Sequence, residues 1–391
     1  MINKQTLEER LWVSVASVGI ICDRELLKPM DQRVWKEAVS LKRMGYNVEI
    51  ITPHTKSITK IMKGIKIHCI EKRRIPGLTA LKIITQVLKR KYDILHCHEF
   101  NPLLYTIILR KATKSKIIWD CHEDYPSLIS TKIDENGIVR ENKTLKKIVT
   151  LLIKVGIKNV DTVITITPPL VKRYRKHIRT MILPNFPPSK SFNPNLKSKE
   201  ISKLYKNKEV ILYQGGIKRG RGMGLILSSL NIVVKKIPNL VFVVLGGEIE
   251  KTGWSKGIEK FLNEHKDNII TTGWIDYDKM APYLTQANLG IIMNKPTHYN
   301  NKIGLPNKLF EYIACGLPVL SSNLPEIKKI LMKNKCGLIV DSEESETLAE
   351  HIVQFLKDTK KMNRYKETTK KCASKYSWER YDKILHYIYS S

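Results

Sequence analysis

A glycine-rich turn near the middle of the chain combines residue types that suit the binding of a diphosphate. This turn, Tyr213–Gly222, contains four glycines together with Lys218, Arg219 and Arg221. Glycines let backbone N–H groups approach a ligand closely, and a helix that follows such a turn directs its N-terminus at the same place. Cations add charge-assisted hydrogen bonds to phosphate oxygens. The turn therefore predicts a phosphate-binding loop.

A second segment, Ile303–Pro318, predicts a helix with an anion-binding end and one acid. Pro306 suits the first turn of a helix, because its missing N–H costs nothing there. Gly316 predicts the end of the same helix. Lys308 then lies beside the free N–H groups, and Glu311 lies one turn further along. An isolated acid on a helix is usually solvated or paired, but in this setting we expect Glu311 to bind hydroxyl groups of a ligand.

These residues must be positioned by strands and helices. Apolar, β-branched runs alternate with helical patterns along the chain, and this alternation is typical of parallel sheets covered by helices. In the first half the predicted strands are Leu11–Cys22, Val48–Thr52, Ile65–Ile70, Ile94–Cys97, Ile117–Asp120 and Val160–Ile166. In the second half they are Val210–Tyr213, Val241–Leu245, Ile269–Thr272, Leu289–Ile292, Pro318–Ser321 and Gly337–Val340. Asp31 predicts the N-cap of a helix over Gln32–Met44. We predict an α/β fold with two Rossmann-like doubly wound domains.

A run rich in Pro, Ser, Asn and Lys, Phe186–Ser202, interrupts the alternation and is typical of an interdomain linker. We therefore predict an N-terminal Rossmann-like domain over residues 1–190, a linker over 191–205 and a second Rossmann-like domain over 206–375. A C-terminal helix over 376–391 is expected to return to the first domain. Ligands of doubly wound sheets bind outside the carboxyl ends of the strands, so the two domains are expected to face a central cleft.

The composition is strongly basic. The chain of 391 residues has 68 Lys and Arg against 37 Asp and Glu, a formal net charge of +31, and the larger share precedes Ile201. Nucleic acid, an anionic membrane or phosphorylated substrates could account for this charge. Aromatic residues make up only 7% of the chain, and no zinc-finger, basic-zipper or RNA-motif signature is present, so nucleic acid is not the expected partner. The longest apolar run, Leu11–Cys22, is too short to cross a bilayer.

A lysine-rich helical pattern over Lys143–Lys158 leaves two interpretations open. The pattern places Leu145, Ile148, Val149, Leu152 and Val155 on one face and lysines over much of the rest. The helix either packs on the sheet with solvated lysines or docks on acidic lipid headgroups.

Cysteine usage and the N-terminal residues bear on location. Seven scattered cysteines without a Cys-x-x-Cys pair are typical of a reducing compartment. Residues 1–10 hold as many acids as bases, so a secretory signal is not expected. We predict a cytoplasmic protein, peripheral at the inner face of the cell membrane.

Several motifs together resemble retaining glycosyltransferases of the GT-B fold, the family 4 group. They are PNKLFEYIACGLPVLSSNLPEI, YQGGIKRGRG, Gly273-Trp274 before a helix, and Tyr376-Ser377-Trp378-Glu379. Three segments of the first half also resemble the family in their residue types and positions: DQRVWKEAVSLKRMGYNVEIIT, DILHCHEFNP and IIWDCHEDYP. The resemblance covers nearly the whole chain, and PNKLFEY is its most specific part. It implies a GT-B architecture and sugar transfer from a nucleotide diphosphate sugar, with retention and without a metal.

The resemblance also implies roles for individual residues. Glu311 matches the acid that holds the donor's ribose, Arg221 the base that grips the diphosphate, and His98 a histidine near the sugar and acceptor. The expected donor-binding set is Gly215, Gly216, Lys218, Arg221, Gly222, Trp274, Ile275, Leu305, Pro306, Asn307, Lys308 and Glu311, with main-chain atoms of Trp274 and Ile275 meeting the nucleobase. The expected acceptor-side set is Asp31, Arg33, His98 and His122, and the expected catalytic set is His98, Arg221, Lys308 and Glu311.

Two positions depart from the family pattern. Ile303 stands where many relatives have the first of two acids, and Gly216 stands where many have an arginine. Lys308 and Lys218 are the expected substitutes for the lost polar contacts. The identity of the sugar stays open.

Two further patterns imitate metal sites. Asp276-Tyr277-Asp278 resembles a metal-binding Asp-x-Asp, but its place before a helix favours N-capping. The clusters His96–Glu99 and Cys121–Glu123 contain metal-ligand residue types, although strand-end histidines also line clefts without a metal. We expect no metal and no cofactor.

The predicted function is sugar transfer to a lipid-linked or glycan acceptor in cell-envelope or extracellular polysaccharide assembly, with peripheral contact to an anionic membrane. Another GT-B activity, a nucleotide-sugar epimerase or a phosphorylase, is the alternative among enzymes. A basic nucleic-acid-binding protein is the alternative from another class. The sequence leaves the base, acceptor, linkage and oligomeric state open.

Overall fold

Buried, β-branched runs become the strands of two parallel sheets in the computed structural model, which describes residues 16–27, 31–133, 139–217, 221–249, 256–296 and 299–391. The chain forms two units. The first comprises the described residues up to Ile129, with Lys143–Pro184 and Asp382–Ser391. The second comprises Ser130–Asn142 and Asn185–Tyr381.

The strands and helices follow one another along the chain with few long gaps. The strands are β1 (Ser17–Ile21), β2 (Asn47–His54), β3 (Ile58–Met62), β4 (Ile65–Glu71), β5 (Ile94–His98), β6 (Lys116–Cys121), β7 (Thr131–Ile133), β8 (Val139–Glu141), β9 (Thr162–Thr165), β10 (Thr180–Ile182), β11 (Glu209–Gln214), β12 (Leu240–Leu245), β13 (Ile269–Thr271), β14 (Leu289–Ile292), β15 (Val319–Ser322) and β16 (Gly337–Val340). The α-helices are α1 (Gln32–Arg43), α2 (Pro76–Leu88), α3 (Phe100–Ala112), α4 (Tyr125–Ser130), α5 (Lys143–Ile157), α6 (Pro168–Tyr174), α7 (Lys199–Leu204), α8 (Met223–Lys236), α9 (Lys256–Glu264), α10 (Ala281–Gln286), α11 (Tyr299–Ile303), α12 (Asn307–Ala314), α13 (Pro325–Asn334), α14 (Ser345–Lys357), α15 (Thr359–Ala373) and α16 (Asp382–Ser390). Short 3₁₀ helices cover Lys266–Asn268, Tyr277–Lys279, Ser374–Tyr376 and Trp378–Tyr381.

Both sheets are doubly wound. The sheet of the first unit has the order β10-β9-β6-β5-β1-β2-β4-β3, with β3 antiparallel to β4 at one edge. The sheet of the second unit has the order β13-β12-β11-β14-β15-β16, and its neighbouring strands are parallel. The strand order reverses between β1 and β5 in the first sheet and between β11 and β14 in the second. Crevices at the carboxyl ends of such strands are the usual ligand sites.

The central strands are buried on both faces. Every residue of β5 and of β12 is buried. Helices cover both faces of a doubly wound sheet, and β12 is accordingly apolar throughout. β5 also carries His96 and His98. The described part of the predicted strand Leu11–Cys22 begins at residue 16, and β1 covers Ser17–Ile21.

The segment predicted as a linker is ordered as part of the second unit. Phe192 is 1% exposed and belongs to that unit's core. Ser198 caps α7, because its hydroxyl accepts hydrogen bonds from the Glu200 and Ile201 N–H groups. At the other end of the chain, α16 belongs to the first unit, where the Lys116 ammonium donates to the Ser391 carbonyl at 2.8 Å.

Helix α5 forms where predicted, but the predicted apolar face was wrong in part. Val149 and Ile153 are buried, whereas Ile148 and Val155 of the predicted face are exposed. The cause is the contact of α5 with α3, in which Leu103 packs so closely on Gly156 that an added Cβ would lie 2.6 Å from its side chain. This contact turns residues 149, 153 and 156 inward.

Two sequence expectations concern the membrane and the thiols. Within the described ranges, none of the helices combines the length and the apolar character needed to cross a bilayer. All seven cysteines are buried and carry free thiols.

Candidate active site

The carboxyl end of β11 lies beside the first turns of α12 in the second unit. Gln214, the last residue of β11, donates from its side-chain amide to the Glu311 carboxylate. The Tyr277 hydroxyl is hydrogen-bonded to the same carboxylate. Glu311 is 3% exposed, so it is a buried acid held by neutral groups on the edge of the sheet.

Lys308 is a buried cation in the same place. Its ammonium nitrogen lies 3.9 Å from the centre of the Tyr213 ring, and among the described residues it meets no hydrogen-bond acceptor. Burial and, to a smaller extent, the Arg221 guanidinium lower the pKa of Lys308 to about 7, although the Glu311 carboxylate acts in the opposite direction. A phosphate would supply the acceptors and the negative charge that this ammonium lacks.

The glycine-rich turn brings Arg221 to this group. The Arg221 Nη1 atom donates to the Gly216 carbonyl at 3.1 Å. Gly222 follows as the N-cap of α8 with φ +75°, and a Cβ there would lie 2.0 Å from the Met293 carbonyl oxygen. Only glycine fits this position without strain. The turn therefore presents Arg221 and the N-terminus of α8 at the edge that carries Lys308.

The remaining residues of the expected donor set lie along the same carboxyl edge. Gly215 follows β11 directly, Trp274 (68% exposed) and Ile275 follow β13, and Leu305, Pro306 and Asn307 lead into α12. Pro306 is the N-cap rather than a helical residue. Lys218 lies outside the described residues. Ile303 is buried at the end of α11, so it contributes no polar group to the site.

The Asp-x-Asp pattern has a structural place, but not the one predicted. Asp276 stands at the N-cap of the 3₁₀ helix Tyr277–Lys279, yet its side chain makes no capping hydrogen bond. It pairs with Lys279 at 3.1 Å instead, and Asp278 accepts from the Ser191 hydroxyl at 2.6 Å. Both carboxylates are thus occupied by side chains rather than by helix N–H groups.

In the first unit, Arg33 and Asp120 form a buried pair where β6 ends. The Arg33 Nε and Nη2 atoms donate to the two carboxylate oxygens of Asp120 at 2.6 and 2.9 Å, and Nη1 donates to the Leu183 carbonyl at 2.8 Å. Asp31 caps α1 as predicted, because its carboxylate accepts from the N–H groups of Arg33 and Val34. This cap fixes the turn from which the Arg33 side chain extends.

His122 lies between two carboxylates. Its Nε2 atom is 3.2 Å from Asp120 and its Nδ1 atom is 3.1 Å from Glu99. Burial alone would lower the pKa of His122, but the Asp120 and Glu99 carboxylates raise it to about 10. His122 is therefore an imidazolium at neutral pH. Glu99 also has a positive φ of 75°, a strained conformation that clusters at functional sites.

His98, the expected catalytic histidine, has no exposed surface. Its Nδ1 atom lies 3.4 Å from His122 Nε2. Burial lowers the pKa of His98 well below its ordinary value and that of His96 to about 4, so both rings are neutral near pH 7. The Tyr389 hydroxyl of α16 is hydrogen-bonded to His96 Nδ1 at 2.6 Å. The structure thus places His98 behind His122 within one network.

This network has the residue types of a metal site. Glu37, His96, His98 and Asp120 each offer one ligand atom within 4.8 Å of the others. The Arg33 guanidinium, however, lies 3.2 Å from the Glu37 carboxylate and 2.6 Å from that of Asp120. A divalent cation would be placed beside this buried guanidinium and the His122 imidazolium, which it would repel. The charges present favour an ion-pair network.

Several partners of the site residues were missed by sequence reasoning. They are Gln214, Tyr213 and Tyr277 in the second unit and Glu37 and Asp120 in the first. The available signals were the position of Gln214 directly before the first glycine of the turn and the Asp120-x-His122 spacing at the end of a strand. Glu37 also lies one helical turn from Arg33.

Comparison with known proteins identifies the family. The model of Glycosyltransferase Family 4 matches residues 31–186, and the model of Glycosyl transferases group 1 matches residues 195–372. The chain is a glycosyltransferase of the family 4 type. These matches confirm the predicted membership of family 4, and the two parallel sheets confirm the predicted α/β fold class with two doubly wound domains.

Relatives of this glycosyltransferase include two mannosyltransferases. A chitobiosyldiphosphodolichol beta-mannosyltransferase of Debaryomyces hansenii is 20% identical over 323 residues, 77% of this chain and 66% of that protein. A phosphatidyl-myo-inositol mannosyltransferase of Mycolicibacterium smegmatis is 19% identical over 381 residues, 92% of this chain and 90% of that protein. Among solved structures, Anabaena Alr3699/HepE in complex with UDP and glucose matches with a TM-score of 0.71 at 13% identity, covering 96% of this chain and 99% of that chain. This last likeness concerns the fold.

Proposed function

We propose that this glycosyltransferase moves a sugar from a nucleotide diphosphate sugar to an acceptor hydroxyl with retention at the anomeric carbon. The observation that carries the proposal is the group of Arg221, Lys308 and Glu311 at the carboxyl edge of the second sheet. A buried acid suits the ribose hydroxyls of a nucleotide, and two adjacent cations suit its diphosphate. UDP bound to the HepE structure supports a nucleotide donor.

In the proposed reaction, the bond between the anomeric carbon and the donor diphosphate oxygen breaks as the acceptor oxygen bonds to the same face of that carbon. The acceptor proton passes to the departing diphosphate. Arg221, Lys308 and the N–H groups at the N-termini of α8 and α12 stabilise the negative charge that develops on the leaving group. In the proposed reaction these fixed hydrogen-bond donors stabilise the leaving group without a metal.

The acceptor side of the proposal lies in the charge network of the first unit, by which we mean the ionisable residues grouped around Asp120, among them Arg33 and His122. His122 is the least buried of its histidines, with 14% of its side chain exposed against 0% for His98. Both nitrogen atoms of His122 already face carboxylates, and Arg33 is held by Asp120. We propose that these residues position the loop after β6, which would contact the acceptor. His98 is more deeply buried and would support the His122 ring through their contact.

The donor assignment is tested by binding and turnover. A thermal-shift panel of nucleoside diphosphates and their sugars selects the donor, since ligand binding raises the melting temperature of the folded protein. Arg221→Ala and Glu311→Ala should each weaken donor binding by about 10- to 100-fold, the loss of charge-assisted hydrogen bonds worth about 1.5–3 kcal/mol.

Lys279→Ala is the matched control, because it removes a cation whose surface ion pair with Asp276 lies near the site but outside it. Near wild-type binding and turnover in both site variants under saturating acceptor would show that the site is wrongly assigned. Epimerisation of the donor in the absence of any acceptor would favour the alternative GT-B activity.

Retention is measured separately. Proton NMR of the first-formed product gives the anomeric configuration, which should equal that of the donor. The measurement is needed because the Debaryomyces hansenii relative is named a beta-mannosyltransferase, and that name specifies the linkage made by that enzyme only. A product of opposite configuration would refute retention and leave the donor site unaffected.

We further propose that the acceptor is lipid-linked and is reached at the inner face of an anionic cell membrane, as in cell-envelope or extracellular polysaccharide assembly. Two relatives carry lipid-borne acceptors in their names. In this chain, the exposed face of α5 carries Ile148 (49% exposed), Leu151 (62%) and Val155 (40%) together with exposed lysines. Aliphatic side chains flanked by lysines are typical of helices that lie on anionic bilayers.

Vesicle flotation tests the membrane proposal. The wild type should float with vesicles that contain phosphatidylglycerol and should detach when salt is raised, because each lysine near the surface contributes about 1 kcal/mol of screened attraction. Ile148→Ser with Leu151→Ser should reduce binding at least about tenfold, since each side chain would lose roughly 1.5–3 kcal/mol of apolar burial. Ile61→Ser is the control, because Ile61 is an exposed aliphatic residue on β3 (68% exposed). If the wild type does not float with these vesicles at low salt, the proposed membrane contact is refuted.

A further inference from the structure

A pocket lies within the second unit, away from the candidate active site. It has a volume of about 540 Å³ and is lined by the C-terminal end of α13, the start of β16 and the N-terminal half of α15. Pockets that hold small molecules in proteins usually measure about 300–1,000 Å³. We call it the basic pocket, after the cations Lys335, Lys360, Lys361 and Arg364 that line it.

The basic pocket is at the opposite edge of the sheet from the donor site. Gly337, which lines the pocket, is the first residue of β16, whereas Gln214 beside Glu311 is the last residue of β11. The neighbouring strands from β11 to β16 run parallel, so these residues mark the amino and carboxyl edges of one sheet. The pocket is therefore not an extension of the donor site.

The charge of the basic pocket is poorly compensated. In the part of the chain that the structure describes, none of Lys335, Lys360, Lys361 and Arg364 forms a salt bridge. One acid lines the pocket, Asp358, and its carboxylate accepts a hydrogen bond from the Lys361 N–H at 2.9 Å as the N-cap of α15. Grouped like charges repel one another, and an anion bound among them would relieve that repulsion.

The walls of the basic pocket are apolar. Leu331 is buried in the wall, Met332 is 60% exposed beside it, and Tyr365 also lines the pocket. An exposed methionine next to a cavity is a surface that an apolar ligand group can cover. Cations at the rim and apolar groups in the wall together suit an anion with an apolar body.

The pocket is also held in shape. Lys335 ends α13 in the left-handed conformation with φ 51°, and its carbonyl accepts a hydrogen bond from the Thr368 hydroxyl at 2.6 Å. This bond ties the end of α13 to α15 across the pocket. A ligand would meet a pocket whose backbone is already fixed, which lowers the entropy cost of binding.

We propose that the basic pocket binds a phosphate group carried on an apolar body. This chemistry is shared by the head group of an anionic phospholipid with its acyl chains and by a soluble phosphate monoester with an aromatic or aliphatic substituent. The proposal goes beyond the transfer reaction and does not depend on it, because binding is measured without a nucleotide sugar.

Isothermal titration of the full chain tests the proposal with named probes. Phenyl phosphate represents the soluble source, dihexanoylphosphatidic acid the lipid source, and inorganic phosphate lacks the apolar body. At least one of the first two should bind, more tightly than inorganic phosphate. Lys360→Glu with Arg364→Glu should weaken that binding at least tenfold, since two attractive charges become repulsive. The probe that binds more tightly assigns the source.

Two controls separate this pocket from general charge and from the donor site. Lys357→Glu with Lys371→Glu makes the same charge change at exposed positions outside the pocket and should leave binding unchanged. Arg221→Ala alters the donor site and should also leave it unchanged. Met332→Glu, at an exposed position, is an independent pocket variant that should weaken binding, and thermal melting confirms that each variant is folded.

The proposal is overturned by any of three results. These are no binding of either apolar phosphate, equal loss in the Lys357→Glu/Lys371→Glu control, and loss only in Arg221→Ala. The last result would show that the probe had reached the donor site, and it would leave the proposed transferase function in place.

Discussion

Donor binding should weaken as the pH rises above 7, because Lys308 must be charged to hold the diphosphate. Burial of this 8% exposed lysine and the nearby Arg221 guanidinium together lower its pKa to about 7. A bound diphosphate favours the charged form, so binding raises the pKa of Lys308 and takes up a proton. Below pH 7 Lys308 is already charged in the free protein. Above pH 7 the free protein must first protonate it, at a cost that grows with pH.

The size of the effect follows from the pKa of the free protein. With a pKa of about 7, Lys308 is roughly half charged at pH 7, about 9% charged at pH 8 and about 1% charged at pH 9. The Kd for the donor should therefore rise about fivefold from pH 7 to pH 8 and about fiftyfold from pH 7 to pH 9. At the alkaline end this approaches about 1.4 kcal/mol per pH unit. The doubly esterified diphosphate of a nucleotide sugar does not itself titrate in this range.

Isothermal titration calorimetry at pH 6, 7, 8 and 9 measures this dependence, with the nucleotide sugar that the thermal-shift panel selects. Paired buffers of different ionisation enthalpy should show uptake of about 0.9 proton per donor bound at pH 8. Lys308→Arg is the control, because a guanidinium stays charged throughout and should remove the pH dependence. A flat Kd in the wild type, or a slope that persists in Lys308→Arg, would refute the reasoning.

Two further predictions concern the charge network and the glycine turn. Imidazole ¹⁵N NMR should show His122 doubly protonated at pH 8 and His96 neutral down to about pH 5, following their pKa values of about 10 and about 4; titration of His122 near pH 6.5 would contradict the ion pairs assigned to it. Gly222→Ala should lower the free energy of unfolding in urea by about 1–3 kcal/mol, because a Cβ at φ +75° would collide with the Met293 carbonyl. Gly216→Ala, where no atom lies within 4 Å of an added Cβ, should change it by less than about 0.5 kcal/mol, and equal losses would disprove the steric argument.

Local patterns were enough to predict the main elements, because burial of a strand or of one helix face leaves a period in the sequence. The run Val241–Leu245 became β12 over Leu240–Leu245, and Asp31 caps α1 as its side-chain chemistry indicates. The strands β3 and β10 and the hairpin β7–β8 were not predicted. β7, β8 and β10 have only three residues each, and β3 is exposed at a sheet edge, so no buried face imposes a period on them.

The residue types of the proposed donor site were also visible in the sequence. Arg221, Lys308 and Glu311 stand at helix or turn positions whose local chemistry favours anions and hydroxyl groups, and such preferences depend mostly on near neighbours. The partners of Glu311 were not visible, since Gln214 and Tyr277 are 97 and 34 residues away along the chain. Only the parallel pairing of β11 with its neighbours brings them together.

The sequence by itself determined that this protein is a two-domain α/β glycosyltransferase with a cationic turn and an acid on a helix. The tertiary structure decided which of its ionisable groups are charged. His98 and His122 both lie at strand ends, yet His98 is neutral and His122 is charged. Burial lowers the pKa of His98, because no nearby acid outweighs it, whereas Asp120 and Glu99 raise the pKa of His122. The physical reason is that burial and the distance to a counter-charge set a pKa, and both are properties of the folded chain.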